Sequence, residues 1–467
     1  MNSPPQASLI ETRAIDFIPE NERHGRLLSQ FTLWFSANLQ ITAIITGALA
    51  VVLGGDVFWS LIGLLLGQVL GGAVMALHGA QGPRLGLPQM ISSRVQFGVL
   101  GATLPLALVC VLYIGFNTTG TILSGQAIAQ LTGLSPSAGI LIFSAVIALF
   151  AACGYRMIHL LGRAATVLGL IAFAYLFARL LSVNDITPLL RNHRFAWDSF
   201  LLAVSLSASW QIAFGPYVAD YSRYLPSGVS PLRTFLCVGG GSVLGAQIAM
   251  TLGVFAAALA GPRFVGQEVA YIVGLGTSGA MAGFLFFSIA FGKITVSTLN
   301  AYGSFMCLAT MLSGFQREAK IDRRQRLVFV LAIVGLSAAI ALAAQHDFLL
   351  HFKSFILFLL TFFTPWSAIN LVDYYWVNQE QYDLAALSDP DGRYGRWNRV
   401  GIASYLFGLL AQLPFISTRF YSGPLLPYLG QVDISWLVGL IAPGALYFCL
   451  ARRRVQRSPT RVSPAKG

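Results

Sequence analysis

The sequence predicts an all-α polytopic membrane protein. It has about twelve transmembrane helices, read as two inverted five-helix repeats followed by two additional helices. Three observations lead there. Only 10% of the 467 residues are charged and 56% are hydrophobic, whereas a soluble domain carries about 25% charged residues. Apolar runs such as "ALAVVLGGDVFWSLIGLLLGQVLGGAVMAL" recur along the whole chain, and about 20 apolar residues suffice to cross the hydrocarbon core. Finally, the spans that carry unusual polar residues lie five spans apart.

In chain order, residues 1–29 are polar, carry both charge signs and lack an apolar h-region. They read as a cytoplasmic segment rather than a signal peptide. The spans follow at 30–53, 57–79, 100–125, 136–153, 160–182, 197–219, 233–260, 270–307, 326–345, 350–376, 400–416 and 434–451. The eighth is longer than one crossing and includes an extracellular lead-in. Residues 30–182 form the first repeat, 197–376 the second, 400–451 the two extra helices and 452–467 a basic cytoplasmic tail. The stretch 80–99 reads as a cytoplasmic loop.

The net charge of +12 belongs to the membrane and excludes no fold by itself. Of the 30 lysines and arginines, 23 fall in the two tails and the even-numbered connections. The positive-inside rule places those segments in the cytoplasm, with the lipid bilayer as partner and no nucleic acid. The five cysteines all lie in apolar runs and read as buried thiols. The six histidines are scattered, and no HExxH, P-loop or GxSxG pattern in a suitable context is present. A membrane enzyme or a metal centre is therefore not expected.

A polar side chain inside a span faces a cavity, another helix or its own backbone. Span 1, "QFTLWFSANLQITAIITGAL", carries Asn38, Gln40 and Thr42. Span 3, "VLYIGFNTTGTILSGQA", carries Asn117, three threonines, Ser124 and Gln126. Span 6 combines Trp210 and Gln211 with Gly215-Pro216 in mid-membrane, where proline removes a backbone donor. Span 8 holds Lys293, Thr295, Ser297, Thr298 and Asn300. An odd number of helices per repeat forces the second copy to be inverted. Interrupted helices in corresponding positions mark a central site. Hydrogen-bonding glue between helices is the competing reading for each single hydroxyl.

"WFSAN" at 34–38, "YIGFN" at 113–117, "FGPYVADYSRYLP" at 214–226 and "PWSAINLVDYY" at 365–375 together resemble the nucleobase–cation symporters, the purine, cytosine, allantoin and hydantoin permeases. The third motif is most similar to the purine–cytosine permease branch. The resemblance implies a leucine-transporter-type inverted repeat with alternating access and import of one small planar heterocycle. Rings from spans 3 and 6 stack on that substrate, and amides from spans 1, 3 and 8 read its edge. Carried onto this chain, the stacking ring of span 3 is Tyr113, where the family often has Trp, with Asn117 one turn on. The ring of span 6 is Trp210 or Phe214. Asn38, Thr42, Ser297 and Asn300 complete the expected substrate site. An amino-acid or amine carrier on the same scaffold is the alternative.

No cofactor is expected beyond a coupling cation, H+ or Na+. Sodium-coupled members of the family bind Na+ between span 1 carbonyls and span 8 hydroxyls, which implies Thr295 and Thr298 as ligands. The ammonium of Lys293 can instead occupy such a site and make the carrier proton-coupled, or snorkel to an interface. Asp220 and Arg223, in "ADYSRY", are expected to pair as a gate or a structural salt bridge.

Overall fold

A computed structural model describes residues 17–153, 155–191, 193–315, 323–418, 421–430 and 432–457. In chain order the helices are α1 (Leu27–Asn38), α2 (Ile41–Val52), α3 (Val57–Leu85), α4 (Gln89–Phe97), α5 (Thr103–Thr132), α6 (Pro136–Cys153), α7 (Tyr155–Val183), α8 (Thr187–Arg191) and α9 (Trp197–Ile212). They continue with α10 (Val218–Ser222), α11 (Pro231–Ala260), α12 (Glu268–Val273), α13 (Gly279–Phe315), α14 (Arg323–Ala344), α15 (Phe348–Val372), α16 (Arg399–Gln412) and α17 (Ser435–Arg457). Among the described residues, 9 helices are long and apolar enough to cross a membrane, or 10 if the bent pair α1–α2 is one crossing. Two shorter apolar helices, 136–151 and 399–415, complete the set. Each of the twelve predicted segments falls on a helix, and the expected lead-in to the eighth is the separate helix α12.

The long helices are apolar nearly all round, so small residues rather than amphipathic stripes choose the packed face. On α3, Gly63, Gly67 and Gly71 recur every fourth residue and lie against Phe200, Val204 and Ala208 of α9. A methyl group on any of them would collide with the α9 backbone, so the two helices approach as only glycine allows. Leu65, Leu66, Val69 and Leu70, on the rest of α3, are exposed, as a lipid-facing surface requires. The other dominant pairing is α5 with α13.

Two spans are interrupted, for different reasons. Between α1 and α2 the axis bends by 59° at Leu39–Gln40, without glycine or proline. Side-chain amides sustain this break: Gln40 Nε2 donates to the Ala37 carbonyl at 2.9 Å and Asn38 Nδ2 to that of Trp34 at 2.7 Å. They satisfy carbonyls that a helix end would leave open. Between α9 and α10 the chain passes through a 3-10 turn, Gly215–Tyr217, where Pro216 has no donor to continue the ladder.

The stretch 80–99 is not a loop. It contains the end of α3 and the helix α4, every residue of which is buried. Arg94 of α4 donates to the carbonyls of Leu387 and Thr310 and to Ser313 Oγ, at 3.1–3.2 Å. It is a structural clasp and not a surface charge.

Candidate functional site

α5 and α13 run antiparallel, with Gly120 beside Lys293 and Ser297, and Gly303 beside Tyr113. The broken spans α1–α2 and α9–α10 close on this seam. At the α1–α2 break, Lys293 Nζ donates to Gln40 Oε1 at 2.8 Å and to Thr42 Oγ1 at 3.3 Å. Lys293 is only 3% exposed, so it does not snorkel. Both its hydrogen-bond partners are uncharged, which leaves a buried amino group with no counter-charge among those partners beside an interrupted helix. Unwinding at Leu39–Gln40 brings Gln40 onto the same side as Thr42, which an unbroken helix would not do.

Next come the rings. Trp210 is 1% exposed. Its indole N–H donates to Asn38 Oδ1 at 2.6 Å, and it meets Phe116 and Phe214 edge-on with centroids 5.6 and 5.8 Å apart. Phe214 packs its edge against Trp34 as well. One turn further, Tyr217 faces Tyr113 across the seam, with centroids 5.6 Å apart and planes tilted by 35°.

The polar groups sort into engaged and unengaged. Asn38 is saturated: beyond Trp34 and Trp210 it donates to Ser242 Oγ at 3.0 Å. Ser242 donates on to Gln211 Oε1 at 2.6 Å, and Gln211 to Gln68. This chain braces α1, α3, α9 and α11 together. Thr298 turns its hydroxyl back to the Ile294 carbonyl at 2.7 Å. Asn117 donates to Ser337 Oγ of α14 at 3.2 Å, but among the described residues its Oδ1 is buried without a partner, as are Ser124 Oγ, Ser297 Oγ and Thr295 Oγ1. Asn300 is half-buried, and among the described residues its carboxamide makes no hydrogen bond; only its backbone oxygen is used, by Ser304.

Asp220 lies on α10, and Arg223 is the residue that closes that helix. Asp220 Oδ1 accepts from the backbone N–H of Gln89 at 2.8 Å, capping the start of α4. Arg223 Nε donates to the Asp220 carbonyl at 3.2 Å. Nearby lies a buried network that the sequence reading missed. Gln81 Nε2 donates to Asn370 Oδ1, and Asn370 Nδ2 to Gln96 Oε1. Gln96 Nε2, Asn378 Nδ2, Tyr382 OH and Tyr447 OH all donate to Asp373 at 2.7–2.9 Å. Burial, reinforced by the Asp373 carboxylate, holds the Tyr382 phenol well above its ordinary pKa, so it remains a donor. The only clue in the sequence was the density of amides in "HGAQGPRLGLPQMISSRVQ" and "SAINLVDYY".

A bundle of membrane-spanning helices with two of them broken around unpaired amides, hydroxyls and rings defines a membrane transporter. The family model described as permease for cytosine/purines, uracil, thiamine, allantoin matches residues 17–439. The chain belongs to that family and is a permease, not an enzyme. It is 36% identical over 455 residues to YxlA of Bacillus subtilis (strain 168), a protein assigned to the purine–cytosine permeases, covering 96% of this chain and 97% of the relative. Its fold matches the inward-facing conformation of Mhp1 with a TM-score of 0.76 at 19% identity, covering 97% and 95% of the two chains. It also matches Mhp1, described as a nucleobase-cation-symport-1 family transporter, in a closed conformation with bromovinylhydantoin bound, at a TM-score of 0.72 and 20% identity.

Proposed function

We propose that this permease imports a purine base, cytosine or a related planar heterocycle by cation symport, in an alternating-access cycle across the plasma membrane with both termini in the cytoplasm. The observation that carries the site is the set of unengaged groups along the α5–α13 seam: Asn117 Oδ1, Ser297 Oγ and the Asn300 carboxamide, on the helices that also carry Tyr113 and Lys293. Buried polar atoms are nearly always paired, so a row of unpaired ones beside a helix break is a place where a polar guest fits. An amide offers both donor and acceptor and matches the edge of an uncharged base. Tyr113 supplies a stacking face. Asn38 and Trp210 act one layer back, as a brace that fixes the first break against the second, and Phe214 packs that brace.

The two breaks, one early in 30–182 and one early in 197–376, support an inverted five-plus-five repeat, with 400–451 added outside it. For coupling, Lys293 bonded to Gln40 and Thr42 supports a proton-coupled carrier. The ammonium occupies the space between broken α1–α2 and α13 where a sodium ion would sit, and Thr298, turned to its own helix, offers a hard cation less. Thr295 keeps an unpaired hydroxyl and remains the candidate ligand if sodium is used.

Uptake of radiolabelled cytosine, adenine, uracil, allantoin and hydantoin into cells lacking their own permeases tests this, with Na+ and pH varied separately. Accumulation of at least one base that rises with an inward proton gradient and ignores Na+ is expected. Uptake of an amino acid or amine instead would overturn the substrate class, and Na+ stimulation at fixed pH would overturn the role given to Lys293.

A further inference from the structure

We propose that Tyr217 is a substrate-contacting, specificity-determining residue that forms with Tyr113 a phenolic gate between the seam and the α10 end of the molecule. The proposal rests on the reading of this chain as a heterocycle transporter and adds to it a residue and a step.

The rings at the α9–α10 break differ in what they leave available. Trp210 has its N–H committed to Asn38 and its edges to Phe116 and Phe214. Phe214 has no polar atom and is wedged between Trp34 and Trp210. Tyr217 is only partly buried; its ring meets Phe214 at 5.9 Å and Trp34 at 6.5 Å on one side and faces Tyr113 at 5.6 Å, while its hydroxyl is left over. Neither the Tyr113 nor the Tyr217 hydroxyl makes a hydrogen bond among the described residues. Two phenols at membrane depth without protein partners point to a polar guest or to water in transit.

The geometry also says which state the pair is in. A planar guest between two parallel rings needs roughly 7 Å, two van der Waals separations of about 3.5 Å. At 5.6 Å and 35° the rings touch one another and leave no slot. Opposite them, Gly303 of α13 lies under the Tyr113 ring, where a methyl group would come within 2.7 Å of Cε2 and Cζ. Tyr113 is thus held close against α13. Tyr217 stands on the last residue of the 3-10 turn, with φ −140° and ψ 6°, immediately before α10. A rotation there opens the pair by the 1–2 Å that the roughly 7 Å slot requires. The passing heterocycle then exchanges ring–ring contact for ring–base contact and takes hydrogen bonds from both phenols.

The test is initial-rate uptake with surface amounts quantified, for Tyr217→Phe, Tyr217→Leu and Tyr113→Phe. Tyr217→Phe keeps the ring and the fold; it is expected to raise KM roughly fivefold to tenfold, the effect of one hydrogen bond, with Vmax within about twofold and an altered ranking of competing bases. Tyr217→Leu removes the ring face and is expected to lower Vmax per transporter about tenfold, because the gate no longer templates a flat guest. A structural role alone would lower surface amount and leave KM and base ranking untouched. Wild-type KM, Vmax and ranking in both Tyr217 variants would overturn the proposal while leaving the transport reading intact. No uptake of any base by the wild-type protein would overturn both.

Discussion

The α5–α13 seam and the α3–α4–α15 junction are built from the same kinds of residue, and they differ in whether the polar atoms are used. At the junction, Gln81, Asn370 and Gln96 engage both ends of their amides, and Asp373 accepts from four donors. Among the described residues of the junction, Gln89 Oε1, His78 Nε2, Arg94 Nε, Ser367 Oγ and Tyr374 OH lack partners, so the saturation belongs to the amide chain that ends on Asp373, and His78 stacks on Trp366 at 4.7 Å. Along the seam, Asn117, Ser124, Thr295 and Ser297 each keep a buried oxygen with no partner. A saturated network fixes a shape. An unsaturated one costs free energy in the empty protein and regains it when something binds. On the proposed reading of the seam as the substrate site, the use of the amides separates glue from site better than residue type does.

The largest expected effect lies in the junction. Asp373→Ala strands four donors in a buried space and is expected to cost about 4 kcal/mol of stability, at one to three for each unmet group with partial relaxation. Thermal unfolding in detergent and the amount reaching the membrane would report it, and the surviving protein should keep the wild-type KM. A changed KM at normal stability would merge the two regions into one functional site.

Second is Lys293→Met, which removes both hydrogen bonds from a charged donor to the α1–α2 break. Roughly a hundredfold loss of concentrative uptake is expected, at 1.5–3 kcal/mol for a bond to a charged group. Exchange of base across the membrane without a gradient is expected to suffer less, because substrate contacts survive. Equal loss of both would assign Lys293 to holding the helices and not to coupling.

Asn300→Ala comes third. It deletes an amide that no described residue uses, so thermal stability should be unchanged while KM rises about tenfold, the effect of one substrate hydrogen bond. The matched control is Asn370→Ala, expected to cost about 2 kcal/mol of stability with KM unchanged. An outcome with these two exchanged would break the distinction between the regions.

The smallest effect belongs to hydroxyls that bond only their own helix. Ser144 donates to the Ile140 carbonyl at 2.8 Å on α6. Ser144→Ala should move stability by less than about 0.5 kcal/mol and leave uptake as it was.

The sequence determined a great deal by itself. Hydropathy located every apolar segment, because a span must be apolar along its whole length and that property is local. Gly215-Pro216 announced the second break, since proline's missing donor is intrinsic to the residue. Four short motifs announced the permease family. Other features were decided by the tertiary structure. The first break carries no glycine or proline, and it exists because Gln40 and Asn38 find carbonyls and distant partners to hold it open. α4 was hidden in a stretch that reads as a loop, because its residues are polar and their partners lie hundreds of positions away: Ser93 with Trp366, Gln96 with Asp373. Whether Asn38, Asn117 or Asn300 is brace or site was equally invisible, since the three are chemically the same. Hydrogen bonds between residues remote in sequence depend on where the chain brings them, and only the packed fold shows which of those atoms are already spoken for.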